Sequence, residues 1–329
     1  VLPCRSAGQP RKLASSVYLA VPLAAQTHGQ GRIALAYAAT DTDAVGLTLD
    51  PETLDAAQAF AEPGKGKLLA VVPRTGGTPG DAFATARSNA GLLGGGLVEL
   101  PQGLAELGAT AQGLQVRIGG SKHIAWPEAA ATQVTSPRAE ALGPAGALLT
   151  WRRGGQKGEI LVGQLDAEGR PTGPASEVTS SAEEFGTPSL GVGQQEVLVS
   201  FASRASAQAP WRIELARAPA GQLPAASRPF VPEGLSESAN TISPAASALP
   251  GGGWLLQWTQ GEGGQHRVWL QTLDADLKPV GAVIAAGPSD KEAGQGTPWV
   301  GPNGRAASFY IVRADQEWEL WGTALECPR

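Results

Sequence analysis

Carboxylates are the most evident chemical resource of this chain: Glu183 and Glu184 stand side by side, and Asp290 and Glu292 flank a single lysine. Two such groups on opposite sides of a glycosidic bond supply an acid and a base or nucleophile, but the chemistry depends on a separation that sequence spacing does not fix. Read without that geometry, they are solvated loop acids. Asp41 and Asp43, with Asp50 and Asp55 close behind, invite a calcium loop. Calcium takes about six to eight oxygen ligands in a fixed acidic order, and the stretch from Thr40 to Ala44 offers two carboxylates, so turn residues are the better reading. His28, His123 and His266 are far apart, and the two cysteines show no zinc-ligand spacing. Neither a metal nor a cofactor is expected. No Ser-His-Asp order, nucleophile elbow or glycine-rich phosphate loop occurs.

Cationic and aromatic side chains gather in two places. Arg117, Lys122, His123 and Trp126 fall within one short stretch, and Arg152 and Arg153, with Lys157, form the densest positive cluster. Together with His266 these are the candidate binding residues. A net charge of −5 with no basic run argues against a nucleic-acid partner, which needs a phosphate-tracking surface. No stretch approaches the roughly 18 consecutive apolar residues of a membrane-spanning helix.

The scaffold that must position these groups is written in prolines. Pro22, Pro73, Pro137, Pro188, Pro244 and Pro298 are separated by 51, 64, 51, 56 and 54 residues. About ten residues after each comes an apolar run: Ile33 to Tyr37, Ala82 to Thr85, Ala147 to Trp151, Val197 to Phe201, Trp254 to Trp258 and Ala307 to Ile311. An alternating run follows, then a polar turn. A repeated unit of about 55 residues has room for four short strands, the signature of a radial array. Proline cannot donate to a ladder and is confined to edge strands or strand starts, which suits the innermost strand of a blade. The fold class predicted is all-β, a six-bladed β-propeller, with a seven-bladed ring as the alternative. It is read as one domain over 1–329, with an insertion at about 104–134 between blades 2 and 3, where the step from Leu100 to Pro137 is 37 residues against 23 to 26 elsewhere.

Four residues follow Leu325, and the first 22 reach Pro22, so the two ends together complete one ordinary step. The N-terminal residues are therefore expected to close the ring as the outermost strand of the last blade. Cys4 and Cys327, the only cysteines, would face each other across that seam within disulfide reach. Most of the nine tryptophans recur at equivalent positions and read as wedges between blades. Trp126 and Trp299 fit that pattern less well.

The segments Leu165 to Gly173 and Leu273 to Gly281 follow a Leu-Asp-x-x-Gly-x-Pro-x-Gly pattern, with Leu277 at the first glycine position of the second. On these hairpins the chain resembles secreted bacterial β-propeller repeat proteins. That resemblance implies the fold and no functional residue. The chain starts at Val1 and contains no methionine. With a disulfide, this suggests a removed signal peptide and an extracellular or periplasmic home, associated with the outer surface. The function expected is a non-enzymatic binding or scaffold protein holding a protein partner in an envelope assembly. The alternatives are a single-site glycan-binding propeller and a glycoside hydrolase or lyase acting at the propeller mouth.

Overall fold

A computed structural model describes residues 1–29, 31–74, 83–88, 94–127, 134–154, 157–236 and 238–328. Ala82 of one apolar run, Asn89 of an expected loop, residues 128–133 of the 104–134 segment and residues 155–156 lie outside the described residues. In chain order the strands are β1 (Arg5–Ser6) and β2 (Arg11–Ala14); β3 to β6 (Ala24–His28, Arg32–Ala38, Ala44–Leu49, Ala56–Glu62); β7 and β8 (Leu68–Pro73, Phe83–Arg87); and β9 to β12 (Gly94–Leu100, Gly103–Thr110, Gly113–Ile118, Ser121–Pro127). They continue with β13 to β16 (Val134–Ala141, Ala147–Arg153, Glu159–Leu165, Ser176–Glu177); β17 to β21 (Glu184–Phe185, Ser189–Val192, Glu196–Arg204, Arg212–Pro219, Arg228–Phe230); β22 to β25 (Thr241–Ala248, Trp254–Gln260, Arg267–Leu273, Pro279–Ala285); and β26 to β28 (Ala293–Val300, Arg305–Ala314, Glu317–Glu326). Each group folds as an antiparallel meander, and β1 and β2 both pair with β28. The result is an all-β, six-bladed β-propeller arrangement. Its six sheets have four or five strands each, and a two-stranded sheet, β7 with β8, accompanies them.

Two compact units make up the chain: Val1–Ala84 with Val231–Arg329, and Thr85–Phe230. Within each, the first strands of successive sheets pack on one another, β22 on β26, β26 on β3 and β3 on β7 in the first unit, β9 on β13 and β13 on β18 in the second. The second strands are the apolar runs, and they are buried along almost their whole length because both faces are covered: β14, β19, β23 and β27 each carry at least five consecutive buried residues. An outermost strand such as β25 has no buried residue. A short continuous apolar run is what a doubly covered strand requires.

Five of the prolines behave as their spacing suggests, standing in or just before β3, β13, β18, β22 and β26. Pro73 does not open a full sheet; it ends β7, whose only partner strand among the described residues is β8. The sheet that follows begins instead at Gly94 and takes in the segment set apart above as 104–134, with 103–127 forming β10 to β12. The extra length of that step is thus spent on strands. At Gly96 a Cβ would lie 3.1 Å from the Pro137 carbonyl oxygen, a close backbone approach that suits glycine.

The polar turns share one device. The Asp166 carboxylate accepts the backbone N–H groups of Glu168 and Arg170 at 3.0 and 2.8 Å, and Asp274 accepts that of Lys278 at 2.8 Å. Asp50 does the same for Glu52 and Thr53 at 2.9 and 3.0 Å, and these hydrogen bonds hold its carboxyl below the usual range. Side-chain acceptors of this kind close Asx turns. The left-handed position falls to Gly169 (φ 78°) in one turn and to Leu277 (φ 59°) and Leu54 (φ 57°) in the others.

Glycine also makes room for Trp126, whose indole N–H donates to the Gly173 carbonyl at 3.1 Å and whose ring lies 5.0 Å from that of Trp151. A Cβ on Gly163 would sit 2.5 Å from that indole. Overpacking a filled core costs about 1–3 kcal/mol, so Gly163→Ala should lower stability by that amount in chemical denaturation. An unchanged midpoint would show the indole free to move.

Candidate functional site

Carboxylates at the loop ends of two sheets are held in the same way. In the second unit Glu184, on β17, receives the Arg204 guanidinium at 2.5–2.7 Å, and that guanidinium also lies 4.6 Å from the centre of the Trp211 ring. In the first unit Glu292 receives Arg313 at 3.4 Å, and Arg313 lies 6.0 Å from the Trp318 ring centre. These Glu-Arg-Trp brackets tie the residues that enter a sheet to its second and third strands. Glu292 has two further partners, the Gly264 N–H at 2.9 Å and His266 Nδ1 at 2.9 Å. Burial would raise its carboxyl, but the hydrogen bonds from Gly264, His266 and Arg313 outweigh it and hold the group below the usual carboxylate range. A His-carboxylate pair of this type orients the imidazole. Glu292 is therefore a committed anion, suited to holding its neighbours and unsuited to giving up a proton near neutrality; Glu184 is tied to Arg204 in the same manner.

Another buried carboxylate, Glu214 on β20, is satisfied by hydroxyls alone. Ser180 and Ser203 donate to one oxygen at 2.7 and 2.6 Å, and Ser227 donates to the other. Removing the acceptor leaves up to three hydroxyls without it, each an unmet buried group worth about 1–3 kcal/mol. Their freedom to rotate toward other partners, such as the Thr179 carbonyl that Ser227 already reaches at 3.1 Å, limits the total. Glu214→Ala should cost about 2–4 kcal/mol by thermal or urea unfolding, and a change within about 0.5 kcal/mol would exclude a structural role for this cluster.

The inner strand β13 is differently equipped. It carries Thr135, Arg138 and Glu140, and it is bulged between Thr135 and Arg138, a common device beside functional sites. Glu140 stands near the end of the strand, paired with Leu148, just before the turn at Gly143–Ala145. It is exposed to solvent, yet desolvation by the surrounding protein pushes its carboxyl up to about 7. Arg138, two residues earlier, donates to the Pro137 carbonyl at 3.0 Å and is pulled down to about 10 by burial, so it remains a cation at neutral pH. Opposite Thr135 in the ladder is Arg152. Thr135 Oγ1 and Arg152 Nε are both buried without a hydrogen-bond partner among the described residues. β13 thus carries a carboxyl raised to about 7 and a half-buried guanidinium two residues apart, a pairing of perturbed groups that marks a candidate site for proton transfer.

The residues singled out by sequence fall in three places. Arg117 on β11 pairs with Glu106, and its ladder partner is Lys122 on β12. His123 Nε2 lies 3.1 Å from the Gly169 carbonyl oxygen. Trp126 is in the core, against Trp151. Arg152 donates to the Phe185 carbonyl at 2.8 Å, and Arg153 pairs with Glu159. His266 belongs to the other unit, with Glu292. Cys4 and Cys327 are disulfide-bonded, their Cα atoms 4.1 Å apart. Glu140 occurs singly, between Ala139 and Ala141 and with no catalytic motif around it, so its local sequence carries no catalytic signal. The one cue available was its place two residues beyond Arg138, on the strand that Pro137 marks as innermost. The described residues contain no group of three or more potential metal ligands, and no helix among them is long and apolar enough to cross a membrane.

The sequence matches no protein-family model and no curated protein. Among solved structures the chain is similar to an α-L-arabinanase of Penicillium chrysogenum (10% identity, TM-score 0.57, covering 97% of this chain and 98% of that one). It is also similar to a GH93 α-L-arabinofuranosidase of Fusarium graminearum (10% identity, TM-score 0.55, 96% and 98% covered) and to a protein of unknown function from Dyadobacter fermentans (12% identity, TM-score 0.56, 99% of each). At these identities the likeness is one of fold. It nevertheless corrects the expectation of a non-enzymatic scaffold, since the architecture is shared over nearly the whole chain with an arabinanase and an arabinofuranosidase.

Proposed function

We propose that this chain is a carbohydrate-active propeller that hydrolyses glycosidic bonds, with Glu140 as proton donor. The observation that carries the reading is a carboxyl on an inner strand, open to solvent, whose proton affinity the surrounding protein raises to about 7. General acids of glycosidases are raised in this way. In the reaction the Glu140 proton passes to the leaving oxygen as the bond from that oxygen to the anomeric carbon breaks, water supplies the hydroxyl that the anomeric carbon gains, and the remaining proton of that water returns through solvent to Glu140. Arg138, two residues from Glu140 on the same strand, would bind sugar hydroxyls. A hydrolase of external polymers fits an extracellular or periplasmic location, which the Cys4–Cys327 bond also favours. The named relatives in fold suggest α-L-arabinosyl linkages as the first substrates to try. The test is release of reducing ends from linear arabinan and of nitrophenol from 4-nitrophenyl α-L-arabinofuranoside, alongside xylan, galactan and β-glucan. Hydrolysis of any of these supports the reading, and none at any pH from 4 to 8 overturns it.

A further inference from the structure

One concave surface takes no part in the chemistry above. In the unit formed by Val1–Ala84 and Val231–Arg329, the N-terminal strand leaves β28 for a moment. Ser6 faces Leu325 and Arg11 faces Gly322, so the residues between them on the N-terminal side outnumber those on β28 by two. Ala7 still donates its N–H to the Ala324 carbonyl at 2.9 Å, and Gly8 to Pro10 arch outward. Between this arch and the loop after β25 lies a groove of about 510 Å³, bordered by Ser6, Gln9, Pro288, Ser289, Asp290 and Trp321. That volume falls within the range of small-molecule sites, roughly 300–1,000 Å³.

The walls are fixed before any ligand arrives. The disulfide anchors the chain two residues before Ser6. The Arg267 guanidinium donates to the Ser289 and Lys291 carbonyls at 3.1 and 2.8 Å, and Thr323 donates to the Ala286 carbonyl at 2.6 Å. Trp321 is held by its N–H to Glu319 at 2.8 Å, with the Lys291 ammonium 5.2 Å from its ring centre. A preformed surface loses little on ordering, which favours binding. The lining chemistry selects the ligand class. Asp290 is its only charged side chain, so phosphates and sulfates are disfavoured. The amide of Gln9 and the hydroxyls of Ser6 and Ser289 are too polar a border for an apolar ligand. A rigid indole beside neutral hydrogen-bonding groups and one carboxylate suits a compound with both C–H faces and many hydroxyls.

We propose that this groove is a second, non-catalytic binding site for a neutral oligosaccharide segment, beside Trp321. That the segment belongs to the polymer being cleaved rests on the hydrolase reading above. The test is affinity electrophoresis through gels containing arabinan, xylan, galactan or β-glucan, together with hydrolysis of the small nitrophenyl glycoside. At least one polymer should retard the wild-type protein. Trp321→Ala should weaken that retardation at least tenfold, and Ser289→Trp, at an exposed position where a large ring fills the groove, should do the same without risk to the core. Both variants should hydrolyse the small glycoside within twofold of wild type. Retardation by no polymer, or both variants retarded like wild type, overturns the groove. The two readings fail separately: hydrolysis with unaltered polymer affinity in the variants leaves Glu140 in place and removes the groove, whereas loss of polymer binding in a protein without hydrolytic activity does the reverse.

Discussion

Glu140→Gln should lower glycoside hydrolysis roughly 10² to 10⁴-fold, the usual worth of a general acid, while leaving the fold intact. The amide keeps the shape and polarity of the protonated carboxyl and cannot release its proton. In the wild-type protein, activity should fall as pH rises through about 7, where the raised carboxyl ionises, and this limb should be missing from the residual activity of the variant. Stability gives a second readout that does not depend on turnover. A carboxyl raised from its ordinary 4.5 to about 7 in the folded state binds more protons folded than unfolded between those values. Stability due to this group must therefore decline as pH rises across that window. Glu140 is solvent-accessible, so screening will reduce the slope below what the full shift would give. The sign is nevertheless fixed, and Glu140→Gln should flatten the pH dependence of Tm over that interval. Turnover within twofold of wild type would remove Glu140 from catalysis. An unaltered slope would show that its carboxyl titrates normally.

The architecture was legible because two strong constraints repeat with the blade: proline at a strand that lacks a neighbour on one side, and an unbroken apolar run in the strand covered on both faces. Where either fails, the reading fails locally. Pro73 announces a sheet that, among the described residues, has two strands, β7 and β8, and the next full sheet starts with glycines, of which Gly96 comes close to the Pro137 carbonyl, a contact that only the neighbouring strand reveals. The seam was legible by length alone, since chain closure is a counting problem. The chemistry was less so. Glu184 and Glu292 drew notice for their place beside other charged residues, but each turns out to be neutralised by an arginine about twenty residues ahead, 204 and 313, and a sequence does not show which charges meet. Glu140 has the opposite history. Nothing in its local sequence is unusual, and its raised carboxyl comes wholly from protein brought around it by folding. The recurrence of Glu, Arg and Trp at 184, 204 and 211 and again at 292, 313 and 318 could have been found by aligning the blades on arginine instead of on proline.

Removing the seam disulfide should be the most damaging single change to stability. The bond links positions 323 residues apart, and in the chain-entropy account a loop of that size contributes on the order of 5 kcal/mol. Other ties at the seam are weaker. The Arg5–Glu326 ion pair is exposed on both sides, and such pairs are worth about 0–1 kcal/mol. The Cys4 N–H to Thr272 hydroxyl bond, at 2.8 Å, is buried and adds about 1 kcal/mol. β1 and β2 together pair only five residues with β28, so without the covalent link this edge should open independently of the strands inside it. Cys4→Ala with Cys327→Ala should therefore lower Tm by roughly 7 °C, given the unfolding entropy of a chain this long. Trypsin should cut the variant first at Arg5, Arg11 or Lys12, well before global unfolding. The oxidised protein should resist that cleavage. Its sulfurs are also protected, since Cys4 and Cys327 are only 5% and 3% exposed, and a reductant should act at the rate at which the edge opens. A Tm within 2 °C of wild type, with tryptic cleavage no faster, would mean that the ring is held by strand pairing and packing alone.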